Sequence, residues 1–288
     1  MIGATPMELY QLYTPITATP FQLNAEYQEF EPCDALKPYI RCFWGTKKPI
    51  IKKASDICTT GIVTPDTCMD IIYTVDYTHN KLNNTFCGID ERSFQTHNLC
   101  TEDKTAFSFA IRFYAWGVPM FAEESMKDIK NNSFDVGYHF SKIKAEIEPI
   151  LFDITNMEQL IPQVECILLK HLMERHNQNV LESIYYILLH KGNISIQELK
   201  QQIHLSDRQL ERLFQEYVGV TPKSLASMIR YQYLWNDIVY CPSYNIMELV
   251  EKYGYSDQAH LCHDFKKYHS MNIAEALAYA LQNVGNIQ

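Results

Sequence analysis

The chain has 288 residues, 47% hydrophobic and 20% charged, which excludes a disordered polypeptide and leaves room for about two domains with buried cores. Its formal net charge of −9, from 25 basic and 34 acidic residues, argues against a nonspecific nucleic-acid coat, while local basic patches remain able to act over about a Debye length. No apolar run approaches the ~18 residues of a membrane span, and the first eight residues lack the basic head and apolar core of a secretory signal, so no membrane partner and a cytoplasmic location are expected.

Residues from about 21 to 118 read as strands. The segments 39–45, 70–75 and 107–113 are short, aromatic and β-branched, and Pro65-Asp66-Thr67, Asn83-Asn84 and Gly88 are turn candidates between them. A β-rich domain over 1–135, cupin-like or a small barrel, is the expectation. After about residue 119 the period changes. Leu160, Ile161, Val164, Ile167, Leu168 and Leu172 recur at helical spacing, predicting an amphipathic helix over 157–175 within a linker or dimerisation region, 136–177. Such a stripe either packs on its own domain or pairs with a twin in a homodimer. Asn177-Gln178-Asn179 breaks the pattern, and 178–288 reads as helices alone: 180–190, 195–202, 207–218, 222–239, 246–253, 258–268 and a last one from Ile273. The fold class is therefore α+β, with an all-α carboxy-terminal domain.

Nine cysteines, at 33, 42, 58, 68, 87, 100, 166, 241 and 262, are odd in number, irregularly spaced and free of any Cys-x-x-Cys pair. That pattern favours reduced, buried thiols over disulfides or structural zinc. The alternative is a thiol sensor or an irregular metal site, for example one using Cys87, His97 and Cys100. No metal and no cofactor is expected.

Two segments of the helical tail repeat each other. Ser195-Ile196-Gln197-Glu198-Leu199-Lys200, then Ser206-Asp207-Arg208-Gln209-Leu210-Glu211-Arg212-Leu213-Phe214, match Asn245-Ile246-Met247-Glu248-Leu249-Val250, then Asp257-Gln258-Ala259-His260-Leu261-Cys262-His263-Asp264-Phe265. The first helices align at an offset of 50 and the second at 51, so the later turn carries one extra residue. Each unit is a short helix, a tight turn and a longer helix, a helix-turn-helix. Ser206 with Gln209 forms a predicted capping box, and Asp257 holds the equivalent cap. At about 100° per residue, Leu210, Leu213 and Phe214 turn inward while Arg208 and Arg212 turn outward, with Gln209 at the edge. In the second unit Leu261, Phe265 and Tyr268 turn inward, and Gln258, His260, His263 and Lys266 face out. These are side chains that can reach base edges or phosphates. The helix beginning at Pro222 is long enough to hold the two units one groove repeat, ~34 Å, apart.

On these residues the chain resembles the AraC/XylS family of transcription regulators, over about 180 to 280. The matching marks are Ser206-x-x-x-Leu210-x-Arg212-Leu213-Phe214, Gly219-Val220-Thr221-Pro222, Arg230, Tyr253-Gly254-Tyr255-Ser256-Asp257 and Phe265-Lys266-Lys267. A looser likeness to an effector domain of such regulators covers 36 to about 125, through Leu36-x-Pro38-Tyr39-Ile40, Pro65-Asp66-x-x-Met69-Asp70 and Ile111-Arg112-Phe113. The resemblance implies a transcription regulator, of the activator kind, with double-stranded DNA, a small-molecule effector and RNA polymerase as partners, and a homodimer as one assembly. It departs from the family at Lys200 and Val250, where alanine is usual, at His263 in place of arginine, and at the closing Ser270-Met271-Asn272-Ile273. Because imidazole loses its charge across the physiological range, DNA binding through His263 should fall between pH 6 and 8.

In the amino-terminal half, Trp44, Tyr73, Phe109, Phe113 and Trp116 are candidates to line an apolar effector pocket with Asp70 or Arg112 as its polar anchor; plain sheet core with a structural ion pair is the alternative. No nucleophile–base pair or phosphate loop stands out, so an enzyme is not expected. Residues 178–288 carry nine Lys and Arg against eleven Asp and Glu, a net of −2. That low value leaves a second reading open, an effector-binding or protein-interaction module with a decayed DNA reader. An amino-terminal enzyme with a regulatory tail is the third.

Overall fold

The computed structural model describes residues 3–21, 26–55, 59–98, 101–241 and 243–281. Cys58 and Cys100 lie outside the described residues, and with Cys100 the Cys87–His97–Cys100 alternative. Among the described residues no group of three His, Cys, Asp or Glu converges on one point.

The amino-terminal half is built on one antiparallel sheet of seven strands: β1 (Gln28–Phe30), β2 (Ile40–Gly45), β3 (Ile50–Lys52), β5 (Cys68–Asp76), β6 (Lys81–Cys87), β8 (Lys104–Tyr114) and β9 (Ser133–Phe134). A separate two-stranded ribbon joins β4 (Thr59–Val63) to β7 (Phe94–Asn98). The long strand β8 is central, with β2 on one flank and β5 on the other. Alternation sets the two faces. Met69, Ile71, Tyr73 and Val75 of β5 are buried beside Phe109, Ile111 and Phe113 of β8, and α2 (Ser141–Leu151) closes over them with Ile143 and Ile147. Phe113 stacks on Phe140 at 6.1 Å, just before that helix. The three predicted strands are present: β2 is one residue shorter than its predicted span, and β5 and β8 are longer at both ends. Asn83-Asn84 is a correction: the pair lies inside β6, opposite Thr74 and Tyr73. There the Asn84 side chain accepts from the Val136 amide and donates to Glu148, bonds that outweigh the residue's preference for turns. The reversal falls instead at 77–80, where Asn80 takes a φ of +50°.

The helix predicted over 157–175 is α3 (Met157–His171), capped by Asn156. Of its predicted stripe, Leu160, Val164 and Leu168 are wholly buried within its own chain, Ile161, Ile167 and Leu172 are half-buried, and Cys166 and Leu169 lie on the outer face. An unpredicted short helix, α1 (Pro6–Leu12), starts at a Thr5–Glu8 capping box and leads into an arm that runs along the helical half. Tyr13, Ile16 and Ala18 are buried along this arm. Tyr233 donates to the Leu12 carbonyl at 2.7 Å and Trp235 to that of Thr17 at 3.0 Å. A fully buried large side chain stabilises by about 1.5–3 kcal/mol, so the two halves share one core rather than touching loosely.

The helical half contains α4 (Gln178–Leu189), α5 (Ile196–Ile203), α6 (Asp207–Tyr217), α7 (Pro222–Tyr240), α8 (Ile246–Lys252), α9 (Gln258–His269) and α10 (Ile273–Leu281). Each lies within one or two residues of its predicted span, because cap residues mark the starts: Asn177, Ser195, Ser206, Thr221, Asn245 and Asp257 all accept from a backbone N–H of the first turn.

Candidate nucleic-acid interface

The first reader is α5 and α6. Ser195 and Glu198 close a capping box on α5, and the helix ends at His204 in the left-handed region, φ +54°. The chain then re-enters at Ser206, whose box with Gln209 starts α6. Leu210 and Phe214 are buried, and Arg208, Gln209 and Arg212 are exposed, as the periodicity requires. Arg212 is 68% exposed and only 3.5 Å from Glu216, a surface pair worth at most about 1 kcal/mol, so its guanidinium is available to an incoming phosphate or guanine. The Gln209 carbonyl accepts from Ser206 twice, at 2.7 and 3.1 Å, so its acceptor end serves the cap. Lys200, close to the turn, reaches out to Asp207 at 2.7 Å.

The second reader is α8 and α9, joined by a turn in which Gly254 has φ +63° and lies so close to Asn193 that a Cβ would collide with it. Asp257 caps α9 by accepting from the His260 amide at 2.8 Å. Gln258, His260, His263 and Lys266 are exposed, although the His260 ring lies against Tyr255 and 3.1 Å from the Ser256 hydroxyl. Arg230, in the middle of α7, bonds Asp264 of α9 at 3.0 Å while its guanidinium lies 4.2 Å over Tyr255. Tyr255 donates to the same carboxylate at 3.0 Å. Arg230 thus positions the second reader instead of facing DNA. Behind it, His269 is wholly buried between Phe265 and Trp235, with Tyr231 2.8 Å from its Nδ1 and no partner at Nε2. Burial pushes this imidazole down to about 4. The spacer α7 has 19 residues, a rod of roughly 28 Å, close to a groove repeat of ~34 Å.

In the sensor half, the face of the sheet turned away from α2 carries a polar row. Cys42, Arg112, Asp70 and Cys87 stand side by side on β2, β8, β5 and β6. Arg112 bonds Asp70 through Nε at 3.0 Å and Nη2 at 3.2 Å, and Asp66 lies 3.5 Å from Nη1. Trp44 donates to Asp70 at 2.8 Å and holds the guanidinium 5.6 Å from its ring, and Tyr27 tilts onto Trp44 at 5.4 Å. So Trp44, Asp70 and Arg112 are brought together. Tyr73, Phe109 and Phe113 point to the opposite face, Tyr73 stacked on Phe109. Trp116 lies past the end of β8, stacked on Tyr114 and donating to the Pro38 carbonyl. Sequence reasoning missed Tyr27, Asp66 and the thiols of Cys42, Cys68 and Cys87 in this row. The signal was available in the parity of strand alternation, since Cys42 shares a face with Trp44, and Cys68 with Asp70. Burial raises Asp66 against the pull of Arg112, and with the help of Asp66 and Asp70 it pushes Asp90 up to about 6. It also pushes the Cys42 thiol up to about 12 and Cys87 to about 11, so neither is a thiolate at neutral pH.

Residues 199–278 match the model of a helix-turn-helix domain, and residues 28–135 match that of a domain of unknown function. No curated protein matches. Among solved structures, ToxT from Vibrio cholerae strain SCE256 with a bound unsaturated fatty acid is 11% identical, with 89% of this chain and 96% of that one covered and a TM-score of 0.39. ToxT from Vibrio cholerae in a 1.65 Å structure is 13% identical, covering 80% and 98%, with a TM-score of 0.40.

Proposed function

We propose, from a carboxy-terminal half that is an AraC-type double helix-turn-helix domain, that this chain is a sequence-specific DNA-binding transcription regulator controlled by a small molecule in its amino-terminal half. The observation that carries the reading is the pair of capped recognition helices, α6 and α9, both with open polar faces and both mounted on α7. Arg208 and Arg212 grip the first major groove, with Gln209 contributing only its amide nitrogen; Gln258, His260, His263 and Lys266 engage the second. The effector seats on the floor formed by Trp44, Asp70 and Arg112, where it meets one guanidinium against the two carboxylates Asp66 and Asp70. Tyr73 and Trp116 have no part in that floor. Domains at 1–135, 136–177 and 178–288, a cytoplasmic location and RNA polymerase as a partner complete the reading. Among the described residues no helix is long and apolar enough to cross a membrane. A homodimer is part of the reading, and the half-buried Ile161 and Ile167 with the exposed Leu169 of α3 give it one surface to use.

The test is selection of duplexes from a randomised library by the full-length protein, followed by a salt titration. The reading expects enriched sites with two half-sites about 10 base pairs apart and affinity that falls steeply with salt. An absence of enrichment favours the second reading, a module whose DNA reader has decayed, to which the net charge of −2 over 178–288 points.

A further inference from the structure

Resting on the reading of the Arg112 floor as the sensing site, we propose that the turn Pro65-Asp66-Thr67 relays the state of the Arg112–Asp66 ion pair to the second reader through Gln232 and Tyr231 of α7. On the input side, Asp70 is the principal partner of Arg112, with contacts at 3.0 and 3.2 Å, whereas Asp66 holds it by one contact at 3.5 Å. A ligand on the floor can therefore detach Asp66 without dismantling the anchor of Arg112. The other oxygen of Asp66 accepts from the Cys68 amide at 3.0 Å, so the carboxylate also shapes its own turn. Thr67 stands in that turn at φ +60°, a conformation unfavourable for a β-branched residue. It is held there by its hydroxyl, which donates to the Asp66 carbonyl at 2.6 Å and accepts from Tyr13 at 3.0 Å. A turn kept against its own preference by few contacts shifts when one of them is lost.

On the output side, the Pro65 carbonyl accepts from the Gln232 carboxamide at 2.8 Å. Gln232 is 2% exposed, and its remaining bonds go to the amide and carbonyl of Ile16, at 2.8 and 3.2 Å. A buried carboxamide bonded at both ends cannot follow a shift in one partner without leaving polar atoms unpaired, so movement of the turn reaches α7. Next to it on α7, the Tyr231 hydroxyl bonds His269 of α9, and the Trp235 ring lies 4.5 Å from the same imidazole. The first reader rests on the sensor half elsewhere, through the bond from the Met126 amide to the Glu216 carbonyl and the contact of Gly219 with Ile129. The relay therefore addresses α9 and bypasses α6.

Amide hydrogen exchange on the full-length protein, without DNA or ligand, tests this by comparing α9 with α6. Asp66→Asn weakens the input and should accelerate exchange across 258–269 by about tenfold while leaving 207–217 unchanged. In a Tyr231→Phe background, which removes a single hydroxyl, the same substitution should change α9 by less than about threefold. Gln232→Leu should block the effect in the same way, and if that variant fails to fold, the Tyr231→Phe comparison decides. An unchanged α9 in Asp66→Asn, equal acceleration of α6 and α9, or an undiminished effect in Tyr231→Phe each overturns the relay. Because no DNA is bound in this experiment, its failure leaves the regulator reading standing, and a failed DNA selection leaves the exchange result intact.

Discussion

The two readers share a plan and differ in how they are held. The first depends on its own sequence: two capping boxes, a left-handed residue at the turn and a surface pair between Lys200 and Asp207. It presents two guanidiniums. The second is tied to the spacer by Arg230, Asp264 and Tyr255, and its end is buried around His269. It presents imidazoles and one lysine where the first has arginines. The difference teaches a division of labour within one domain. The unit richer in guanidiniums meets the sensor half through the Met126–Glu216 bond, and the unit richer in imidazoles is tied to the spacer helix and to the buried cluster around His269.

The largest expected effect breaks the second unit by pH. Burial lowers His269 from the ordinary 6.5 to about 4, so between these values the unfolded chain binds a proton that the folded chain refuses. The stability is fully present above 6.5 and is lost as pH falls towards 4, by roughly 3 kcal/mol at about 1.4 kcal/mol per tenfold change. Asp90 opposes this, since a carboxyl raised to about 6 favours folding at low pH and loses that contribution as pH rises. Urea melts of the wild type and His269→Gln at pH 7 and 5 separate the two, and the variant should lose the histidine part of the difference. Next in size, Arg212→Ala should weaken specific DNA binding by ~1–3 kcal/mol and relax the preference at one base pair of the first half-site; a mobility shift on the selected site measures it. Ser206→Ala removes the cap of α6 and should cost about 1 kcal/mol of stability, seen as a lower urea midpoint with the second unit unaffected. The smallest effect comes from His263→Arg, which gives the second unit a permanent guanidinium like those of the first and should tighten binding to the selected site and raise its salt slope by about one, read in a salt-titrated mobility shift.

How much was legible in the sequence follows the same division. The helical half was read almost to the residue because its starts are marked by side chains that bond their own first turn, a local code. The sheet was read only where strands are apolar and continuous. β6, with Lys81, Asn83 and Asn84, looks like a turn until β5 and Glu148 supply partners. α1 is too short to be stable alone and exists because α4 packs against it and Tyr233 of α7 bonds its last residue. In the candidate pocket, Asp70 and Tyr73 differ by an odd number of strand positions, so they could never have faced the same way; Trp116 required knowing where β8 stops. The Arg230–Asp264 bond and the contacts of Gln232 join residues 34 to 216 positions apart, which no local pattern encodes.

Hydroxyl-radical footprinting of the full-length protein on its selected duplex distinguishes two readers acting together from one acting alone. Two recognition helices on one rigid spacer predict two protected stretches on one face of the DNA, about one helical turn apart, with Arg212→Ala thinning one of them and leaving the other. A single protected stretch, or two on opposite faces, would contradict that arrangement.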